Sequence, residues 1–416
     1  MRIHSNKSVL LLVILAIICN SCLKSKKPGI PNEIQEVLNQ SGIHKPGLMR
    51  LILTFQKPED SLKLKSAYYL IENLDNNYSI QQSLVDSLDN PIEINIYDFP
   101  DISSIKQKRD SIEKVVGRLS YKADSIWLDF KNISPDFLIN HIKTSYDIWN
   151  SSLFENSYDF NTFCNYILPY RVSNEEIENY TDNFQDKYGH LLDGNKNQKE
   201  IAILLNDEIN SSITYDERIV YNPNVQSIEL TEENKSGDLR DINIYKIKAL
   251  RSLGIAAAMD YTPFFADSIL GYYSTTVILP NKEKIYLKNS DDNTNPYQPI
   301  KTAKVYRRIH GNNPVGLFTT KEKSTHTPPF LGDYNYIDVS NEYIATKSIN
   351  IQLVDTSQFV YLAVFNDNEW KPIEWAVLTD DSTAIFTNMG IGVRYRPVKV
   401  SEEAVIPMGK EFILSY

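Results

Sequence analysis

The chain has 416 residues, 42% of them apolar and 23% charged, proportions that exclude collagen, a long coiled coil and wholesale disorder and, at about 100–200 residues per domain, predict two or three domains. Its 43 Lys plus Arg against 53 Asp plus Glu leave a net charge of −10, so no basic domain marks it as a nucleic-acid binder. With 15 glycines in the whole chain, a glycine-rich phosphate loop is not expected.

The first residues do not read as fold. Arg2, His4 and Lys7 precede an apolar run over residues 9–18, followed by Cys19-Asn20-Ser21-Cys22. The apolar run is too short to cross a bilayer as a mature helix. Together these residues resemble a bacterial lipoprotein signal peptide, with Cys19 where that pattern usually has Leu. The resemblance implies removal of residues 1–21, a lipid on Cys22 and an anchor in the bilayer. The alternative is a secretory signal cleaved nearby that leaves Cys22 free. Residues 22–32, with Lys24, Lys26, Lys27, Pro28 and Pro31, read as a tether whose lysines suit acidic headgroups. Leu23 follows the cysteine where Asp would hold a lipoprotein at the inner membrane. By resemblance this implies an outer-membrane lipoprotein of a Gram-negative cell envelope. Cys164 is then the one remaining thiol, which excludes an intramolecular disulfide in the mature chain.

Residues 33–195 carry helical signals. Ile34, Val37 and Leu38 open an apolar face that Gly42 closes. Pro58-Glu59-Asp60 suits the first turn of a helix, continued by Leu62, Ala67, Leu70, Ile71 and Leu74 at helical spacing. A polar helix is expected over 102–117. Ser134-Pro135 opens an amphipathic helix through Leu138, Ile142 and Trp149, and two more fall at 175–190 and 196–210. Residues 196–318 mix helix and strand: a helix through Ile242, Tyr245, Ala249 and Leu253 ends at Gly254, and short apolar runs at 255–259, 274–279 and 285–287 read as strands. A linker is expected at 319–329. Residues 330–416 show about seven short strands, the pattern of an antiparallel β-sandwich. The fold class expected is therefore α+β and multidomain: a helical N-terminal region, an α+β core and a C-terminal β-sandwich.

Four segments together are similar to a known group. They are Asp60-Ser61-Leu62-Lys63-Leu64-Lys65 with Tyr69-Leu70-Ile71-Glu72-Asn73; Phe163-Cys164-Asn165-Tyr166-Ile167-Leu168-Pro169-Tyr170-Arg171; Leu250-Arg251-Ser252-Leu253-Gly254-Ile255 leading to Asp260-Tyr261-Thr262-Pro263; and Lys304-Val305-Tyr306-Arg307. The chain resembles the transglutaminase-like lipoproteins of Gram-negative bacteria over nearly its whole mature length. The resemblance implies a transglutaminase-like core at 196–318 and a papain-like Cys, His, Asp triad. Such a thiol belongs at a helix N-terminus, where the dipole favours the thiolate, and the imidazole shuttles its proton. Counting back from Arg251-Ser252-Leu253-Gly254 places the family cysteine at Leu239, with Asp238 and Gly237 as the neighbouring choices. The histidine position falls on Tyr272 in Gly271-Tyr272-Tyr273. The third member falls at Asn289, Ser290 or Asp291. A phenol with a pKa near 10 does not shuttle protons well at neutral pH, so the resemblance implies a pseudoenzyme.

The residual pocket expected from this alignment comprises Leu239, Asp241, Tyr272, Tyr273 and Asp291. It would bind a peptide, a glycan or an envelope protein; alternatively, Asp241 caps its helix and Tyr272 packs. A second hypothesis is a hydrolase using carboxyls among Asp238, Asp241, Asp260 and Asp291, for which two carboxyls roughly 5–10 Å apart in an open cleft would be needed. A third is a purely structural envelope protein. No cofactor and no metal are expected: His44, His141, His190, His310 and His326 are scattered without zinc-site spacing. Asp291-Asp292-Asn293-Thr294-Asn295 lacks a calcium-loop pattern. Cys164 reads as a core thiol, His141 as helix-surface or semi-core, and His310 as a solvated loop residue. Trp370 and Trp375, five apart, point to opposite faces of a strand unless a bulge intervenes.

Overall fold

In a computed structural model, the described residues are 29–151, 157–268, 271–289, 302–321, 326–328, 330–333, 335–353, 357–401 and 404–415. The lipidation position Cys22 and the pocket candidate Asp291 lie outside them. The fold is a mixed α+β assembly with an antiparallel β region at its C-terminal end.

The helical region opens with α1 (Asn32–Gln40), which buries Ile34, Val37 and Leu38, then α2 (Lys45–Thr54) and α3 (Ser61–Glu72). The Pro58–Asp60 turn leads into α3, as Pro and acidic residues in a first turn should. Next come β1 (Tyr78–Val85), α4 (Ile102–Val116) and β2 (Ser120–Leu128). The antiparallel β1–β2 ribbon corrects the expectation of helix throughout 33–195. A register shift at Gln81/Gln82 interrupts the pairing, and β2 stays largely exposed, so a clean two-residue alternation is hidden in the sequence. Then follow α5 (Pro135–Trp149), capped by the Ser134 side chain, and α6 (Phe160–Tyr166). Helices α1, α2, α3, α5 and α6 share one apolar core through Leu38, Leu51, Leu70, Ile142 and Phe163.

The middle of the chain supplies α7 (Thr181–Tyr188), α8 (Gln198–Ser212), α9 (Ile228–Asn234) and α10 (Leu239–Ser252). From Asp241 onward every residue of α10 is buried. A helix covered all round must pair the cations it carries. Lys248 reaches Glu175 at 3.4 Å and Glu178 at 3.3 Å. Arg251 donates to the carbonyls of Pro169 at 3.0 Å, Arg171 at 2.7 Å and Ala257 at 3.0 Å.

Against α10 lie β3 (Ala257–Thr262), β4 (Tyr272–Ile278) and β5 (Lys284–Leu287), extended by β6 (Tyr306–Arg308) and β7 (Tyr336–Asp338). The sheet order is β5-β4-β3-β6-β7, antiparallel throughout. Successive residues of β3 serve two cores: Ala257 and Met259 face the α10 side, and Ala258 faces the helical region. A strand buried on both faces reads as a continuous apolar run rather than an alternating one. Asp260, fully buried, receives Arg307 Nε at 2.8 Å and Nη2 at 2.6 Å.

The C-terminal part contains β8 (Thr346–Gln352), β9 (Phe359–Asn366), β10 (Glu369–Val377), β11 (Thr383–Gly390), β12 (Arg394–Val400) and β13 (Val405–Pro407). The β8–β11 pair packs across the β10-β9-β12-β13 sheet. Val360, Leu362 and Val364 fill the space between these two sheets. Phe359, Tyr361 and Ala363, on the other face of β9, pack against Tyr261, Tyr306 and Tyr336 of the preceding sheet. Lys304 ties the same two parts together, reaching Asp338 at 2.7 Å and Glu374 at 2.5 Å. A bulge interrupts β10 between Pro372 and Glu374. It brings Trp370 and Trp375 to the same side, against that second core, as the extra residue of a bulge requires.

Candidate functional site

The start of α10 is fixed by a reciprocal capping box. The Asp241 amide donates to Asp238 Oδ1 at 2.8 Å, and the Asp238 amide donates to Asp241 Oδ2 at 3.2 Å. Gln226 adds its backbone N–H and its side-chain Nε2, each 3.0 Å from Asp241. Burial, with Asp238 beside it, pushes the Asp241 carboxyl up to about 6. Asp241 therefore acts as a cap, with both oxygens engaged.

Leu239 occupies the first position of the helix, where the dipole would activate a thiol. It packs with Tyr272, Val305, Val339 and Ile344. Tyr272, at the start of β4, is buried. Its hydroxyl accepts a hydrogen bond from Asn289 Nδ2 at 2.9 Å. Asn289, just beyond β5, also donates to the carbonyl of Tyr273 at 3.2 Å. Asn243 joins these elements: its Nδ2 donates to Leu239 O at 2.7 Å and to Asn289 Oδ1 at 3.2 Å, and its Oδ1 accepts from Thr275 Oγ1 at 2.7 Å. The fold thus brings Leu239, Tyr272 and Asn289 together across α10, β4 and the end of β5. Tyr273, the next residue on β4, turns to the other face and stacks on Tyr261, ring centroids 5.9 Å apart.

An alkyl group, a phenol and a carboxamide supply neither nucleophile nor proton shuttle at neutral pH. Among the described residues, the carboxyl set considered from the sequence does not form a cleft pair either. Asp238 and Asp241 cap a helix, Asp260 is buried against Arg307, and Asp291 lies outside the described residues. Among the described residues, no group of three or more His, Cys, Asp or Glu side chains could hold a metal ion.

Cys164 sits on α6 in the helical core. Burial pushes its thiol up to about 12, the opposite of an activated cysteine. His141 is buried, with Nε2 2.7 Å from the carbonyl of Leu168. His310 is a correction: it is 4% exposed rather than solvated, and its ring stacks edge-on with Tyr170, centroids 5.1 Å apart. The preceding Arg307-Arg308 suggests solvent, but both arginines are turned inward onto Asp260, Glu342 and Asp333. The sequence reading missed Asn243 and Thr275. Asn243 follows Leu239 by one helical turn, and that spacing was the available signal.

No model of a known protein family matches the chain, and no curated protein matches it. Two solved structures do. One is a candidate cysteine protease from Cytophaga hutchinsonii, 14% identical, with a TM-score of 0.22, covering 27% of this chain and 37% of that one. The other is a candidate protease from Parabacteroides distasonis, 10% identical, with a TM-score of 0.26, covering 57% of this chain and 51% of that one. The chain thus spans between about a third and a half of the length of these two structures.

Proposed function

We propose that this chain is a transglutaminase-like lipoprotein of the Gram-negative outer membrane, anchored through Cys22, whose core has lost catalysis and serves as a scaffold. The observation that carries the reading is the juxtaposition of Leu239, Tyr272 and Asn289. The first residue of a helix, a residue opening the neighbouring strand and a residue beyond the next strand meet where a Cys, His, Asp set would be needed, and none of the three has the required chemistry. Tyr272 and Leu239 pack into an apolar cluster, which supports a structural role for the old cleft over ligand binding within it. A peptide, glycan or envelope-protein partner would then engage another surface. The anchor rests on the sequence of residues 1–22. Among the described residues no helix is long and apolar enough to cross a membrane.

The test is amide hydrolysis and amine incorporation by the full chain in detergent. The expected result is turnover at the buffer rate, unchanged by Cys164→Ala. Turnover abolished by Cys164→Ala would overturn the proposal.

A further inference from the structure

A polar cavity of about 310 Å³ lies between α5 and the start of α7, at the lower end of the roughly 300–1,000 Å³ of small-molecule sites. From α5 it is lined by Phe137, Asn140 and His141, whose spacing of three and four residues sets them on one helix face. Asn179, Thr181 and Asp182 line it from the other side. Leu239, Tyr272 and Asn289 have no part in it.

Two of these side chains are more than nine-tenths buried: His141, 8% exposed, and Thr181, 7% exposed. Buried polar groups are nearly always hydrogen-bonded. His141 Nε2 lies 2.7 Å from the carbonyl of Leu168. A carbonyl only accepts, so that nitrogen carries the proton. Burial holds the imidazole down to about 4, so at neutral pH Nδ1 is a bare acceptor. Among the described residues neither His141 Nδ1 nor Thr181 Oγ1 has a hydrogen-bond partner, and neither atom is closed to water. Two buried residues at one cavity thus each keep an open polar atom for a ligand. Phe137 stacks on the imidazole, ring centroids 5.6 Å apart and planes at 11°, which fixes the ring and adds an apolar wall.

Lys143 and Asp182, both exposed, put one charge of each sign on the lining. Their sum is zero, so no net field favours an ion. Donors and acceptors are mixed: Lys143 donates, Asp182 and His141 Nδ1 accept, and Asn140, Asn179 and Thr181 do both. The matching ligand is neutral and carries several groups that both donate and accept. We infer that this cavity binds a sugar unit through its hydroxyls. One hydroxyl donates to His141 Nδ1, a second pairs with Thr181 Oγ1, and the C–H side of the ring meets Phe137. This deepens the scaffold reading by naming one partner class, and rests on that reading only in placing the partner outside the old cleft. Failure to bind sugar would leave the amide-turnover result untouched.

The test is calorimetric titration of the full chain, in a detergent without a sugar head group, with the methyl glycosides of glucose, galactose, mannose and N-acetylglucosamine. Saturable binding of at least one is expected, and none of tetrahydropyran, the ring without hydroxyls. Maltotetraose and chitotetraose beside them separate a sugar chain from a free sugar, and saturable binding of either form supports the inference. Thr181→Val, close to isosteric, and His141→Gln, which keeps an N–H for Leu168, should each weaken binding about three- to tenfold, the scale of one hydrogen bond. If His141→Gln fails to fold, Thr181→Val decides. No saturable binding of any of these sugars, equal binding of tetrahydropyran, or sugar binding unchanged in Thr181→Val would overturn the inference.

Discussion

The two buried histidines make stability fall steeply in mild acid. His310 and His141 are buried, both against Tyr170 and near Arg251, with Arg171 also near His310. Burial, the largest cause for each, lowers their values from 6.5 to about 3 and about 4. The unfolded chain therefore takes up protons below pH 6.5 that the folded chain refuses. Stability is intact above that pH and drops as pH falls from 6.5 towards 4 and then 3. Each imidazole contributes a loss of about 1.4 kcal/mol per pH unit in that window, so at pH 5 the pair removes about 4 kcal/mol. That is a large share of a typical domain's 5–15 kcal/mol. Asp241 acts with the opposite sign: its value, raised to about 6, costs stability near neutrality and is relieved as pH falls. It is common to the chain and its His310 variants, so comparing them cancels it. The assay is urea unfolding from pH 7.5 to 4.5 of the unaltered chain and His310→Gln. The variant should lose about 2 kcal/mol less between pH 6.5 and 5. Parallel pH profiles would refute the reasoning, because they would mean that His310 titrates normally in the folded chain.

Other consequences follow from the same packing. Asp129→Asn strands Arg171, whose Nε lies 2.7 Å from Asp129 Oδ2 in a pair with side chains 2% exposed. The expected loss is about 3–5 kcal/mol in urea unfolding, and a loss below about 1 kcal/mol would contradict a buried pair. Cys164, its thiol pushed up to about 12 by burial, should resist iodoacetamide in the native chain at pH 8 and react fully in urea. Rapid native alkylation would show that the helical core does not cover it.

Much of this architecture was legible because it is written locally. Pro58-Glu59-Asp60 and Ser134-Pro135 mark helix starts, the second capped by the Ser134 side chain, which accepts from the Phe137 amide, and Gly254, at φ 78° just beyond α10, marks a helix end. The apolar runs of β3 and β9 announced strands because both faces of each are buried. Features set by non-local packing were not legible. The bulge at Gln81/Gln82 masks the alternation of β1. The bulge in β10 reverses the facing expected for Trp375. Lys248 and Arg251 look in sequence like a solvated helix face, and only the approach of Glu175, Glu178 and the 169–171 carbonyls makes their burial tolerable. The positions of Leu239 and Tyr272 came from a resemblance. Asn289 could not be separated by spacing from Ser290 and Asp291; those two lie outside the described residues, and among the described residues it is Asn289 that donates to the Tyr272 hydroxyl.

The most direct test of the central claim is to restore the chemistry that the geometry implies is missing. Leu239→Cys alone and the triple change Leu239→Cys, Tyr272→His, Asn289→Asp, both in a Cys164→Ala background, would be alkylated across pH 5–9 beside the unaltered chain. If the three positions are the remains of a triad, the triple variant's thiol should ionise well below the ordinary value near 8.5 and react at least about tenfold faster at pH 6 than that of Leu239→Cys alone. The unaltered chain should show no amide turnover. Identical thiol profiles in the two variants, or turnover by the unaltered chain that a thiol reagent abolishes, would contradict the account.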